Sequence, residues 1–238
     1  MIPNLDLLGS LARTLHDDFV HVYYLMLPVF FMIAVCIEWF KTGSPDGNFI
    51  EILRRAFICT VLLVAFKDIS QAIVMISDGL ADRIDNMSGL DSFLKMASEK
   101  TATYSFSVRS LVLAFDDLII ALLSYLSYFI LYIARYLTVA AYYFYWIFLS
   151  ISAPLLLLFG LFRSTVQIPM NLFRTMIEVS SWKVCWAILS AMLKALALGN
   201  IYGMQGNYLT VIVLNFVIAI AMLCVPLIVR SLTGPGIY

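Results

Sequence analysis

The feature that most constrains this chain is an apolar run from residue 111 to residue 162, in which the only charged side chains are Asp116, Asp117 and Arg135. A helix needs about 20 residues to cross the roughly 30 Å hydrocarbon layer of a membrane. The run is therefore too long for one crossing and fits two, with Arg135 as the divide. One long helix that projects beyond the membrane also fits.

The whole chain shares this apolar character, with 63% hydrophobic and 13% charged residues. Such a composition leaves too little polar surface to cover a soluble globule, which indicates a membrane protein. Continuous apolarity, rather than strict alternation, favours helices over barrel strands. We therefore predict an all-α, polytopic transmembrane helical bundle of about five to six membrane segments, at least one of them kinked or only partly inserted.

Polarity also divides the chain into regions. Residues 1–18 are predicted to form an N-terminal interfacial or extracytoplasmic segment, and residues 19–238 a single transmembrane domain. The first span is predicted near residues 19–40 and the last near 209–229. A polar loop at about 78–110 interrupts the apolar pattern and is expected to lie outside the membrane, partly as helix.

Basic residues give the orientation. Lys41, Arg54 and Arg55 gather in the first loop, whereas Arg13 is the one lysine or arginine that precedes the first span. The positive-inside tendency then places the first loop in the cytoplasm and the N-terminus outside. The polar loop at 78–110 falls outside as well.

Four charged residues interrupt otherwise apolar sequence and are candidates for intramembrane polar positions: Lys67, Asp68, Arg135 and Lys194. Lys67 and Asp68 are predicted either to be buried together or to mark a break where the helix enters only part of the bilayer. Arg135 and Lys194 either line a conduit between subunits or mark membrane boundaries and reach the headgroups.

Catalytic signatures are missing from the sequence. His16 and His21 would lie about 140° apart on a helix, which is a poor arrangement for a metal pair. No serine, cysteine or lysine has a base partner at a workable spacing, and no glycine-rich phosphate loop occurs. We expect no enzyme activity, no metal and no cofactor. The formal net charge of +0 gives no basic surface for direct sequence-specific binding of nucleic acid.

A stripe of tyrosines is the candidate oligomer interface. Tyr125, Tyr128, Tyr132 and Tyr136 recur at spacings of three and four, so they share one face of a helix. Hydroxyl groups on a membrane helix need partners, which favours a contact with another helix or another subunit over exposure to lipid. The stripe therefore predicts a homo-oligomer.

Other aromatic residues are predicted to lie at a membrane face, as an interfacial belt does. They are Tyr142, Tyr143, Tyr145, Trp146, Trp182 and Trp186. Pro154 follows deeper in the same segment and is predicted to kink the helix by freeing the carbonyl of Ser150. The hydroxyls of Ser150 and Ser152, or a neighbouring helix, are expected to pair with that carbonyl. A static kink and a moving hinge both remain open.

The order of these features resembles the TrbL-type polytopic inner-membrane subunit of conjugative and type IV secretion systems. The resemblance covers most of the chain from about Phe49 onwards and is carried by four stretches: "LRRAFICTVLLVAFKDISQAIVMISDGLA" at 53–81, "SISAPLLLLFGLF" at 150–162, "NLFRTMIEVSSWKVCWAILSAML" at 171–193 and "VPLIVRSLTGPG" at 225–236. It implies a multi-pass protein of the bacterial inner membrane that forms a homo-oligomeric ring. The ring would help to form a path for DNA or protein substrates, with membrane lipids, itself and other secretion-system subunits as partners.

The expected function is therefore that of a non-enzymatic channel or scaffold subunit of a transfer machine resembling type IV secretion. One alternative is a structural ring that organises or encloses lipid, which would have the same apolar composition. A small-molecule transporter is a further alternative. Transporters are often built from paired broken helices in corresponding halves, and the sequence lacks such symmetry.

Overall fold

The computed structural model describes residues 5–42, 49–85, 88–103, 115–196 and 208–233, and the regular elements among them are all helices. They are, in order, α1 (Leu5–Thr42), α2 (Phe49–Ile84), α3 (Ser88–Thr103), α4 (Phe115–Leu158), two 3₁₀ turns (Phe159–Leu161 and Arg163–Thr165), α5 (Gln167–Leu196) and α6 (Tyr208–Thr233). The predicted all-α class is confirmed for this part of the chain.

Three helical segments are long and apolar enough to cross a membrane: Ser10–Lys41 in α1, Tyr125–Leu161 in α4 and the turn after it, and Ile212–Leu232 in α6. The predicted transmembrane helices are thus present. The described helices support three crossings by length and composition, and the larger number of about five to six stays a prediction.

The long apolar run around Arg135 forms one helix. Helix α4 continues without a break from Phe115 to Leu158, so the predicted division into two spans at Arg135 is wrong and the single long helix is correct. Arg135 does not end the helix because its guanidinium forms an ion pair with Asp91 of α3. A partnered charge can stay inside an apolar helix at lower cost.

Helix α2 is also unbroken. It passes through Lys67 and Asp68, whose side chains are both exposed in the single chain. The structure therefore contradicts both predicted alternatives, the buried pair and the helix break. The predicted polar loop begins inside α2 and includes all of α3, so residues 78–103 are largely helical, while 104–110 lie outside the described residues.

The chain forms two compact units, and the boundaries between them fall inside α2, α4 and α5. Unit 1 consists of the described residues up to 74 together with 143–179. Unit 2 consists of the described residues within 75–142 and from 180 onwards.

The core of unit 1 is built on a regular stripe of α2. Its buried members recur at spacings of four and three residues, the pattern of a packed helix face: Ile52, Ala56, Cys59, Leu63 and Phe66. The fully buried Tyr23 of α1 joins this face, where its hydroxyl lies 3.1 Å from the hydroxyl oxygen of Thr60.

Unit 1 also contains the tight connection from α4 to α5. Gly160 lies in the first 3₁₀ turn, and a Cβ atom added there would lie 2.6 Å from Cγ of Pro169 and 2.8 Å from Sγ of Cys59. Only glycine fits this close approach. The small residue therefore allows α5 to begin directly beside α2.

The core of unit 2 joins α3, α4 and α6. Its buried cluster contains Leu90, Leu94, Leu131, Ala134, Ile218, Ala219 and Met222. A polar contact crosses this core, since the amide nitrogen of Asn215 donates to the hydroxyl oxygen of Ser127 at 3.1 Å and both side chains are buried. Such contacts fix the register of apolar helices.

Candidate functional site

Pro154 lies buried within α4, and its position explains a contact between His16 and the Ser150 carbonyl in unit 1. A proline cannot donate to the carbonyl four residues earlier, which leaves the Ser150 oxygen without its helical partner. His16 of α1 fills that role, with Nδ1 2.7 Å from the Ser150 carbonyl oxygen. Because a carbonyl only accepts, Nδ1 carries the hydrogen in this arrangement.

The surroundings hold the His16 ring in place. It stacks on Phe66 of α2, with ring centroids 5.5 Å apart and planes 21° apart. Ser152, predicted to pair with the freed carbonyl, instead donates to the Phe148 carbonyl at 2.7 Å. The freed carbonyl is therefore served by a neighbouring helix, which is one of the two partners that the sequence predicts.

The same combination of a helix proline and a ring donor from another helix occurs at α6 of unit 2. Pro226 lies four residues after Met222, so the Met222 carbonyl also lacks its helical donor. Trp186 of α5 points its Nε1–H at that oxygen, at 3.4 Å. Sequence reasoning missed this pair, although Pro226 in the last span is a signal that could have found it.

These two contacts explain how α4 and α6 each accommodate a proline. An unpaired backbone carbonyl inside a hydrocarbon layer costs several kcal/mol. In each unit a ring nitrogen from another helix removes that cost and ties two helices together beside the proline. Movement at either proline would break its contact, and whether Pro154 forms a static kink or a moving hinge stays a prediction.

A second polar feature is the row of contacts between the end of α2 and α5 in unit 2, which we call the polar seam. It consists of three pairs: Ser77 with Ser180 at 2.5 Å, Asp78 with Lys183 at 2.6 Å and Asp85 with Ser190 at 2.6 Å. The residue numbers rise together in the two helices, so the helices run parallel here. Ala81 and Ala187 lie between the pairs along the two helices and are buried.

The last pair of the seam also anchors α3. The Asp85 carboxylate accepts from the Gly89 amide at 2.6 Å, and the Ser190 hydroxyl oxygen accepts from the Leu90 amide at 2.8 Å. The first amides of a helix have no partner within the helix itself. Two polar side chains therefore complete the N-terminus of α3, and the carboxylate adds a favourable charge there.

An aromatic cluster surrounds Lys183. Its ammonium lies 4.8 Å from the centre of the Tyr142 ring, and that ring meets Trp186 edge-on at 6.3 Å. Trp182 and Trp186 also meet edge-on, at 6.3 Å. Of the six aromatics predicted at a membrane face, Tyr142, Trp182 and Trp186 are thus buried in unit 2.

The other three predicted interfacial aromatics are more accessible. Tyr143 and Tyr145 are exposed and Trp146 is half-buried. Their membrane location stays a prediction.

The predicted tyrosine stripe lies on the outside of α4. Tyr125 is 51% exposed, Tyr132 42% and Tyr136 43%, whereas Tyr128 packs against the core of unit 2. The rings of Tyr132 and Tyr136 are 4.6 Å apart between centroids. Three of the four predicted interface residues are therefore available to a partner.

Three of the four predicted intramembrane charges have side chains that the structure describes. Lys67 and Asp68 are exposed on α2, and Arg135 pairs with Asp91. Lys194 lies within α5, and its side chain falls outside the described residues. In the described ranges, no group of three or more His, Cys, Asp or Glu side chains is placed to hold a metal ion.

Comparisons of this chain with protein-family models, with curated proteins and with solved structures find no match. The resemblance to the TrbL-type family therefore stays a hypothesis.

Proposed function

We propose that this chain is a non-enzymatic membrane subunit that assembles with copies of itself and acts as a channel or scaffold in a transfer machine resembling type IV secretion. The observation that carries the proposal is the exposed tyrosine face of α4, formed by Tyr125, Tyr132 and Tyr136. This face lies within a segment that is long and apolar enough to cross a membrane.

Tyrosine hydroxyls explain why this face suits a protein partner. Lipid tails offer no hydrogen-bond partner, so a row of hydroxyls at membrane depth gains more from contact with another helix than from lipid. Aromatic rings also bring large contact areas with few rotatable bonds. A second copy that presents the same face satisfies both requirements in an isologous contact, and a different surface of the next copy would do so in a ring-forming, heterologous contact.

The internal contacts support a scaffold that keeps its shape. Ring donors pair with the carbonyls that Pro154 and Pro226 leave free, and the polar seam fixes α2 against α5 in unit 2. A subunit that forms a wall benefits from this rigidity. A transporter that alternates between two states needs moving elements instead.

Cysteine crosslinking tests the self-contact, starting from a variant without the four native cysteines. Tyr125→Cys and Tyr136→Cys place thiols on the tyrosine face. Leu126→Cys and Leu137→Cys are the matched controls, because they are 47% and 56% exposed, have the same separation and lie about 100° round the helix.

We expect a short bifunctional maleimide to crosslink each single-cysteine tyrosine-face variant into a dimer in membranes, and the leucine variants much less. Equal crosslinking on both faces would contradict the proposed interface. Imaging of the purified assembly then separates the functions: a polar, water-filled centre supports a channel, and a lipid-filled centre supports the alternative of a structural ring.

A further inference from the structure

Two adjoining cavities in unit 1 differ in the number of charged side chains that line them and share Arg55. The larger cavity measures about 310 Å³, and its lining includes Ile58, Cys59, Gly160, Pro169 and Met170. Apart from Arg55, every side chain that lines it is apolar or a thiol. It opens outwards, since Ile58 is 47% and Met170 68% exposed at its edge.

Half of the side chains that line the smaller cavity, of about 40 Å³, are apolar, and most of its charged side chains are basic. Lys41, Arg55 and Arg163 line it with one acidic residue, Glu38. Glu51 lies beyond this lining and forms an ion pair with one terminal nitrogen of Arg55. A guanidinium carries five N–H donors, so this contact leaves Arg55 with further donors for a second anion.

The combination of a basic recess and an apolar cleft on either side of one arginine matches an amphiphile with an anionic head and a hydrocarbon tail. Arginine and lysine side chains bind phosphate oxygens through charge-assisted hydrogen bonds. An apolar cleft open at its edge takes an acyl chain without loss of any polar contact. Neither cavity alone would require such a ligand.

We propose that these two cavities form a binding site for one anionic phospholipid of the surrounding membrane, with the phosphate at Lys41, Arg55 and Arg163 and an acyl chain in the cleft. The proposal requires only that the chain lies in a membrane, and it is independent of the proposed transfer function. It is consistent with the predicted cytoplasmic location of the first loop, since anionic lipids attract basic residues at that surface.

Native mass spectrometry of the full chain, purified in a mild detergent and stripped of lipid, tests the site. Phosphatidylglycerol and phosphatidylcholine are the probes, because they share a phosphodiester and acyl chains but differ in net charge. We expect phosphatidylglycerol to bind with at least roughly fivefold higher affinity than phosphatidylcholine, as one well-placed basic residue suffices to provide. Equal affinity for the two lipids would overturn the proposal.

Substitutions locate the site without disturbing Arg55, whose loss could unfold unit 1. Arg163→Gln should weaken phosphatidylglycerol binding roughly fivefold. Arg54→Gln is the matched control, because Arg54 is exposed beside Arg55 and lines neither cavity. An equal loss of phosphatidylglycerol affinity in the two variants would show that the lipid is attracted to basic surface residues in general. That result would contradict a specific binding site.

Filling the cleft tests the acyl chain. Met170→Trp should lower the affinity for phosphatidylglycerol while the chain stays folded, because Met170 lies at the open edge of the cleft. If millimolar inorganic phosphate displaces the lipid, the ligand is a free anion and the proposal is wrong. If Met170→Trp changes the oligomeric state and leaves lipid binding intact, the cleft belongs to a second copy of the chain, which also overturns it.

Discussion

His16 and Pro154 act as a pair, although they lie on different helices of unit 1. The proline leaves the Ser150 carbonyl without its backbone donor, and Nδ1 of the imidazole lies 2.7 Å from that oxygen. His16→Phe keeps a ring to stack on Phe66 but removes the donor. We expect this variant to lower the free energy of unfolding by roughly 1–3 kcal/mol, the cost of one unpaired buried polar group.

The same substitution in a Pro154→Ala background separates this account from simple packing. Alanine restores a backbone N–H to the Ser150 carbonyl, so His16→Phe should then cost less than half as much. Thermal unfolding in one detergent measures all four proteins of this double-mutant cycle. An equal cost in both backgrounds would show that His16 does not act through the freed carbonyl.

A second single-residue prediction concerns Gly160. Gly160→Ala should destabilise the chain by roughly 1–3 kcal/mol, because the new methyl group would overlap Pro169 and Cys59. Gly79 of α2 is the matched control, with nothing within 4 Å of an added Cβ. Gly79→Ala should be neutral or stabilise the helix by about 0.5–1 kcal/mol, and melting temperatures that fall equally in both variants would contradict the packing described here.

The sequence predicts one half of the contact between His16 and Ser150 and misses the other. The rule that a proline frees the carbonyl four residues earlier identifies Ser150 directly. The donor cannot be found this way, because His16 lies 134 residues from Ser150 along the chain. A histidine that pairs poorly with His21 as a metal ligand gives no sequence signal that it serves a backbone carbonyl.

At the scale of secondary-structure elements, the start of α3 depends on a side chain of α5. Ser190→Ala would leave the buried Leu90 amide without its acceptor and remove one donor from Asp85. We expect a loss of roughly 1–3 kcal/mol and faster hydrogen exchange at the first turn of α3. Ser70→Ala is the control, since Ser70 bonds only to the Lys67 carbonyl of its own helix and is accessible.

Protection of the Leu90 amide that is unchanged in Ser190→Ala would contradict this role for the polar seam. The Ser70 variant should stay within about 0.5 kcal/mol of the original protein, as surface substitutions usually do.

Helix type was predictable from continuous apolar sequence, but helix continuity was not. Arg135 marks a span boundary by composition, yet α4 continues because Asp91 of α3 neutralises the guanidinium. Lys67 and Asp68 suggest a break, yet α2 continues with both side chains outside the packed face. In each case the deciding fact is where a neighbouring helix lies, which a single sequence does not state.

At the scale of the whole molecule, apolar composition predicts the membrane class, and three helices long enough to cross a membrane agree with it. The division into two compact units was not predictable, because its boundaries fall inside three helices rather than in linkers. Burial of the aromatic residues was not predictable either: Trp182 and Trp186 pack within unit 2, and their location at a membrane face stays a prediction.

Self-assembly is the central claim, and the mass of the particle in native lipid tests it most directly. The chain is extracted from membranes with a copolymer that retains surrounding lipid, and its mass is measured on single particles across a range of dilutions. We predict one dominant closed multimer of the 26.9 kDa chain that persists on dilution. A particle that contains a single chain at every concentration would contradict the account.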